Sequence, residues 1–220
     1  METVQQIAAR SALFKGIPAK EIPVFFRKLD PSLKRYDKNQ QIITESSSIK
    51  AIGLVISGKV FVKQEDVWGN LAILAQIGQG DLFAEAYACA GITKSPVNVV
   101  ASEKSEVLFF DFHHLLTCCS SQPLHTKLIG NMLNIIARKN VYLVEKMYFL
   151  TRRTIREKVF AYLSSEAKKH KQNTFNIPFN RQELADFLAV DRSALSKELA
   201  TMQKEGLLSF NKNQFCLKLL

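Results

Sequence analysis

The chain has 220 residues and a mass of 24.9 kDa, with 47% hydrophobic and 23% charged residues, enough for one large packed core or two modest ones and too apolar for a disordered tail. No run of 18 apolar residues occurs, and Met1 opens into a mixed stretch (Glu2, Gln5, Gln6, Arg10), which argues against a membrane span and a secretory signal. The four cysteines (Cys89, Cys118, Cys119 and Cys216) lack the spacing of a disulfide scaffold, so a soluble cytoplasmic protein is expected.

The net charge is +10, and it is unevenly spread. Residues 1–150 carry +4, whereas residues 151–220 carry +6, roughly a threefold higher density. A polyanion partner for the C-terminal part fits that asymmetry; a solvated basic surface is the plainer alternative.

In chain order, residues 1–30 read as short helices around Ile7, Leu13, Phe14, Val24, Phe25 and Leu29, interrupted by Gly16, Pro18 and Pro23. From about Leu33 to Phe112 the apolar period switches to two. Ile52–Ile56, Lys59–Val62, Leu71–Leu74 and Val107–Phe110 are rich in β-branched and aromatic residues, with turns at Ser57-Gly58, Trp68-Gly69-Asn70 and Gly78–Asp81. Many short strands at this spacing predict a β-roll or barrel.

A long helix is predicted from about His125 to Thr151. Ile129, Ile136, Leu143 and Leu150 recur every seven residues, and Leu133, Asn140 and Met147 stand four residues after the first three. That is a heptad seam with one polar residue, Asn140, which favours a two-stranded pairing. A core helix packed on its own domain is the alternative, which Leu128, Met132, Ile135 and Tyr142 partly support.

The last 70 residues predict a helix from about Arg153 to Lys169, a strand Phe175–Phe179, two tightly connected helices, and a hairpin with its turn at Asn211–Asn213. Asn180 and Glu183 have capping-box spacing, Leu184, Phe187 and Leu188 point inward, and Asp191 caps the second helix. In that second helix Leu195, Leu199 and Met202 face the core. Arg192, Ser193, Ser196 and Lys197 share the opposite stripe in the first turns. A helix-turn-helix presents its base-reading residues there. Arginine can grip guanine O6 and N7 with two hydrogen bonds, and lysine reaches a base or a phosphate. Arg181 and Lys212 are expected to touch phosphates, and the hairpin to act as a wing.

The chain resembles the cAMP receptor / fumarate-nitrate regulator superfamily of bacterial transcription factors over nearly its whole length. The motifs that carry the resemblance are Leu13–Ile17, Gly53–Val60, Gly78–Glu85, the long helix, and Arg181-Gln182-Glu183 through Glu205-Gly206. The resemblance implies an α+β chain: an effector-binding, cyclic-nucleotide-binding-like β-roll (1–124), a dimerisation helix and hinge (125–151), and a winged helix-turn-helix (152–220). It also implies a homodimer on a palindromic promoter site, RNA polymerase as a further partner, and a change of domain angle at Leu150–Thr154 when effector binds.

Several departures from the family pattern bear on the effector. Ser95 and Pro96 stand where cyclic-nucleotide binders carry an Arg-Ser pair for the phosphate, and Ala84 replaces the glycine of Phe-Gly-Glu while Glu85 is kept. Lys94 is a poor substitute for a planar guanidinium fork. Cyclic AMP is therefore not the expected effector. No cysteine precedes Cys89, which argues against an iron–sulfur cluster, and neither His113-His114 nor Cys118-Cys119 has metal-ligand spacing. A small organic effector is expected instead, lined by Glu85, Tyr87, Ser95 and Asn98 of the roll and by Lys139 and Tyr142 of the long helix. A thiol or haem sensor, an effector-independent regulator and a regulatory subunit that does not bind DNA remain alternatives. Relatives often have Glu at the position of Ser193 and Arg at that of Lys197, so the family's usual guanines are not implied. No catalytic constellation is visible.

Overall fold

The computed structural model describes residues 4–65, 71–117 and 123–218; Trp68–Asn70 and the Cys118-Cys119 pair lie outside them. The chain divides into two compact units, residues 1–138 and 139–220.

The first unit opens with α1 (Val4–Arg10), two single 3-10 turns and α2 (Ile22–Leu29), which Asp30 ends in the left-handed region at φ 41°. Eight strands follow: β1 (Ser32–Tyr36), β2 (Gln41–Ile43), β3 (Ala51–Ser57), β4 (Val60–Glu65), β5 (Leu71–Ile77), β6 (Leu82–Phe83), β7 (Asn98–Ala101) and β8 (Ser105–Asp111). They form two four-stranded sheets, ordered β1-β8-β3-β6 and β2-β7-β4-β5, with every pairing antiparallel. The predicted roll is thus present. Short helices α3 (Glu85–Cys89) and α4 (Phe112–Thr117) interrupt and close it.

β3 explains why its apolar run is continuous rather than alternating. Ile52, Leu54 and Ile56 enter a core shared with Phe14, Phe25, Phe110, Leu128 and Met132, while Val55 points into a second core with Val60, Ile77, Phe83, Val99 and Val107. A strand covered on both faces needs apolar residues at every position. Gly53 is required by a close approach, since a Cβ there would sit 2.2 Å from the Phe83 ring. At Gly58, φ is +77° and a Cβ would meet Ser105 Oγ at 2.4 Å.

The long helix α5 runs Pro123–Leu150 and crosses the boundary between the units. In the first unit, Asn131 donates from Nδ2 to the carbonyls of Leu13 and Lys15, both at 2.8 Å, which ties the Leu13–Ile17 turn to α5. His113 and His114 lie in α4, and the His114 amide donates to Asp111 Oδ1 at 2.7 Å. Among the described residues no cluster of His, Cys, Asp or Glu could hold a metal ion, and no helix is long and apolar enough to cross a membrane.

The second unit comprises the end of α5, α6 (Ile155–His170), β9 (Thr174–Asn176), α7 (Arg181–Leu188), α8 (Arg192–Lys204), β10 (Leu208–Asn211) and β11 (Gln214–Leu217). α6 starts two residues later than predicted because Thr154 and Glu157 form a capping box. Lys168, Lys169 and His170 fill its last turn, where positive charge complements the helix dipole. The strand predicted over 175–179 stops at Asn176. Proline cannot donate to a ladder, and after Pro178 the Phe179 ring stacks on Phe187 at 4.9 Å. Phe149 is 3% exposed and packs against Tyr162 and Phe187, which places the end of α5 in this core.

Candidate nucleic-acid interface

Two consecutive caps build the helix pair. Asn180 Oδ1 accepts from Glu183 N at 3.0 Å while Glu183 Oε2 accepts from Asn180 N at 2.7 Å, so both orphan donors at the start of α7 are satisfied. α7 buries Leu184, Ala185 and Leu188, whereas Phe187 is half-buried in the aromatic cluster. The helix stops at Ala189, which is left-handed at φ 50°, and Lys158 Nζ donates to the Leu188 carbonyl at 3.1 Å. Asp191 Oδ1 then accepts from Ala194 N at 2.8 Å and opens α8. The Ser193 hydroxyl and the Ala194 amide hold the Asp191 carboxyl below its ordinary pKa.

α8 divides into two faces. Leu195, Leu199 and Met202 are fully buried, and Arg192, Ser193, Ser196 and Lys197 are all exposed. Ser193 Oγ donates to Asp191, and Ser196 Oγ donates to the Arg192 carbonyl at 2.9 Å. Each hydroxyl proton is therefore engaged locally, leaving oxygen lone pairs for an incoming donor. Among the described residues Arg192 and Lys197 make no ion pair, so both charges are available to a polyanion.

Groups that sequence reasoning missed brace this face from behind. Arg156 of α6 reaches α8 through Glu198 (2.6 Å) and, at its far end, Glu205 (2.9 Å); the two carboxylates raise its pKa. Neither partner could be assigned from spacing, since they lie 42 and 49 residues away.

The hairpin β10–β11 turns at Lys212-Asn213 and pairs with β9 in the order β10-β11-β9. Asn213 anchors the tip by receiving Ile177 N on its carbonyl at 2.9 Å and donating from Nδ2 to the Ile177 carbonyl at 3.2 Å. Arg181 and Lys212 line one cleft of 560 Å³ together with Phe179 and Asn213. Arg181 lies over the Phe210 and Phe215 rings, and burial there lowers its pKa.

The profile of the cyclic nucleotide-binding domain matches residues 33–122, and that of the Crp-like helix-turn-helix domain matches residues 157–219. The chain belongs to the CRP/FNR family of regulators. Its fold is that of a CRP-like DNA-binding transcription regulator, and the family is one of regulators rather than enzymes. No curated protein matches the chain in sequence. Among solved structures, the catabolite activator protein of Thermus thermophilus is 22% identical, with 94% of each chain covered and a TM-score of 0.52. FixK2 of Bradyrhizobium japonicum is 18% identical over 86% of this chain and 93% of its own, with a TM-score of 0.53. The c-di-GMP responsive regulator CLP of Xanthomonas campestris is 18% identical over 92% of this chain and 100% of its own, with a TM-score of 0.62. At these identities the likeness is one of fold.

The residues expected to line an effector site in this CRP/FNR regulator are placed as follows. Glu85 is 2% exposed at the start of α3, directly after the left-handed Ala84 at φ 63°. Tyr87 is half-buried, and burial together with the Glu85 charge raises its pKa. Ser95 is buried, its hydroxyl donating to the Val97 carbonyl at 2.6 Å. Asn98 Oδ1 accepts from Gln41 Nε2 at 2.6 Å and from Glu45 N at 2.9 Å. Lys139 and Tyr142 belong to the second unit, where the Tyr142 ring meets Phe187 at 6.4 Å. Along the heptad seam Leu133, Leu143 and Met147 are 67%, 57% and 63% exposed, Asn140 is exposed, and Ile129, Ile136 and Leu150 are half-buried.

Proposed function

We propose that the chain is a homodimeric, sequence-specific DNA-binding transcription regulator under the control of a small-molecule effector other than cyclic AMP. The observation that carries the DNA reading is the exposed stripe of Arg192, Ser193, Ser196 and Lys197 in the first turns of an N-capped α8, with its two cations free of ion pairs among the described residues. Those residues read base edges, and Arg181 and Lys212 hold the backbone. Residues 1–124 serve as effector domain, 125–151 as dimerisation helix and hinge, and 152–220 as the DNA reader, with RNA polymerase as a further partner.

Pairing of two chains along Ile129, Leu133, Ile136, Asn140, Leu143, Met147 and Leu150 is supported by the exposure of Leu133, Leu143 and Met147, because large apolar side chains at heptad spacing are costly to leave in water. The effector residues proposed on the roll are Glu85, Tyr87, Ser95 and Asn98. A serine whose hydroxyl is spent on Val97 offers no charge to a cyclic phosphate, which favours an organic effector over cyclic AMP.

Selection from random duplex DNA, followed by titration at several salt concentrations, tests the reading. A palindromic site with half-sites about one helical turn apart and an affinity that falls steeply with salt is expected. Binding that is indifferent to sequence at every salt concentration overturns it.

A further inference from the structure

A cleft of 720 Å³ opens between the last turns of α5 and the helix α6, wholly within the second unit. Tyr148 and Phe149 of α5 and Phe160 of α6 give it aromatic walls, and Ser164 and Lys168 lie further along α6. Arg152, in the connection, completes the lining with its guanidinium carbon 4.2 Å from the Tyr148 ring centroid. Its Nε is buried and, among the described residues, has no hydrogen-bond partner. A buried donor without an acceptor is an exception in folded proteins, and one on a cation is the more costly kind.

The charge of Glu157 acts on the Arg152 cation, but no neighbouring carboxylate hydrogen-bonds its Nε. Glu157 Oε2 is taken by the amides of Arg153 and Thr154 at 3.0 and 3.2 Å, and Glu145 is paired with Lys169 at 3.0 Å. Arg156 is held by Glu198 and Glu205. The lining thus carries three cations (Arg152, Arg156 and Lys168) against two carboxylates (Glu145 and Glu157), with three rings and an Arg152 Nε donor that no described side chain takes up. Of the α5 lining, Glu145 and Phe149 lie about 200° around the helix from Leu143 and Met147, and Val144 and Tyr148 about 100° from them.

We propose that this cleft binds a planar aromatic carboxylate. The ring packs among Tyr148, Phe149 and Phe160, and the carboxylate accepts from Arg152 Nε with Lys168 adding charge. The site makes no use of the roll and does not depend on the DNA reading.

Calorimetric titration of the full-length protein, without DNA, with 2-naphthoate and its neutral counterpart 2-naphthalenemethanol tests this. One saturable site per chain is expected for naphthoate, with the alcohol at least about tenfold weaker. Arg152→Gln, which keeps the fold as judged by an unchanged melting temperature, is expected to weaken naphthoate at least about tenfold. Ala161→Trp, which fills the cleft, is expected to abolish binding; Ser164→Trp serves the same end if that variant does not fold. The proposal is overturned if naphthoate shows no saturable binding, if the alcohol binds as well, or if Arg152→Gln binds as wild type. Because no DNA is present, each of these outcomes leaves the DNA reading standing.

Discussion

Arg181, the first residue of α7, holds its guanidinium carbon 4.8 Å from the ring centroid of Phe210 in the wing, with Phe215 at 5.6 Å. One side chain thus ties the start of the helix-turn-helix to the hairpin while leaving its planar edge for a phosphate. The two duties separate by substitution. Arg181→Lys keeps the charge but loses the flat stack, and is expected to lower stability by about 0.5–1 kcal/mol with the salt dependence of DNA binding unchanged. Arg181→Ala is expected to reduce the salt slope by about one as well. Thermal melts and DNA titrations at several salt concentrations read both.

Two alanines sit where the backbone is left-handed: Ala84 at φ 63°, before α3, and Ala189 at φ 50°, in the turn between α7 and α8. The Cβ clash in that region costs about 1–2 kcal/mol, and glycine returns part of the gain through a freer unfolded chain. Ala84→Gly and Ala189→Gly are each expected to raise stability by about 0.5–1 kcal/mol. Urea unfolding midpoints check this, and a midpoint lowered by either glycine speaks against strain at that site.

Local periodicity made much of this molecule legible. The heptads of α5, the caps Asn180 and Asp191 and the α8 stripe depend on neighbours within a few residues, so spacing alone places them. The roll was legible as strands, but not the double burial of β3, which needs the partner layers on both sides. Pairings across the fold were out of reach. Nothing in spacing says that Arg156 meets Glu198 and Glu205, that Arg181 lies on Phe210, or that Tyr142 meets Phe187 in the second unit. The strand at 175–179 was overextended because Phe179 has the residue type of a strand position, whereas its ring is used against Phe187.

Acid should loosen the helix starts of the second unit. The amides of Thr154 and Arg153 lower the Glu157 pKa from its ordinary 4.5, and the Ser193 hydroxyl and Ala194 amide lower that of Asp191 from 3.8. Depressed carboxylates bind fewer protons folded than unfolded. Their contribution is therefore whole above the ordinary values and is lost as pH falls through the lower folded ones. The double variant Glu157→Gln, Asp191→Asn keeps an acceptor oxygen at each cap and removes the titration. It is expected to lose less stability than wild type between pH 7 and pH 3, as read by urea unfolding at both values. An equal loss in the two proteins rejects the caps as the acid-sensitive groups.

The proposed seam gives a separate prediction for assembly. Leu143 and Met147 are exposed within the chain, so Leu143→Arg with Met147→Arg should spare the fold of the single chain while breaking a two-stranded pairing. Sedimentation is expected to shift from dimer to monomer with the circular dichroism unchanged. Asn140→Ile, which removes the polar residue from the seam, is expected to raise the melting temperature and admit higher oligomers. A chain that is monomeric before substitution rejects the seam.

Arg192 and Lys212 should divide specificity from affinity. Arg192 stands at the first position of α8, exposed and without an ion pair among the described residues, whereas Lys212 occupies the tip of the wing at φ 53°. A base-edge contact discriminates between sequences, so Arg192→Ala is expected to cost about 1–3 kcal/mol on the selected site and little on random duplex. A phosphate contact carries no sequence information. Lys212→Ala is accordingly expected to weaken both duplexes alike and to lower the salt slope by about one. Competition titrations with the two duplexes separate these outcomes. Should Arg192→Ala keep the full ratio between selected and random DNA, α8 is not the reading helix.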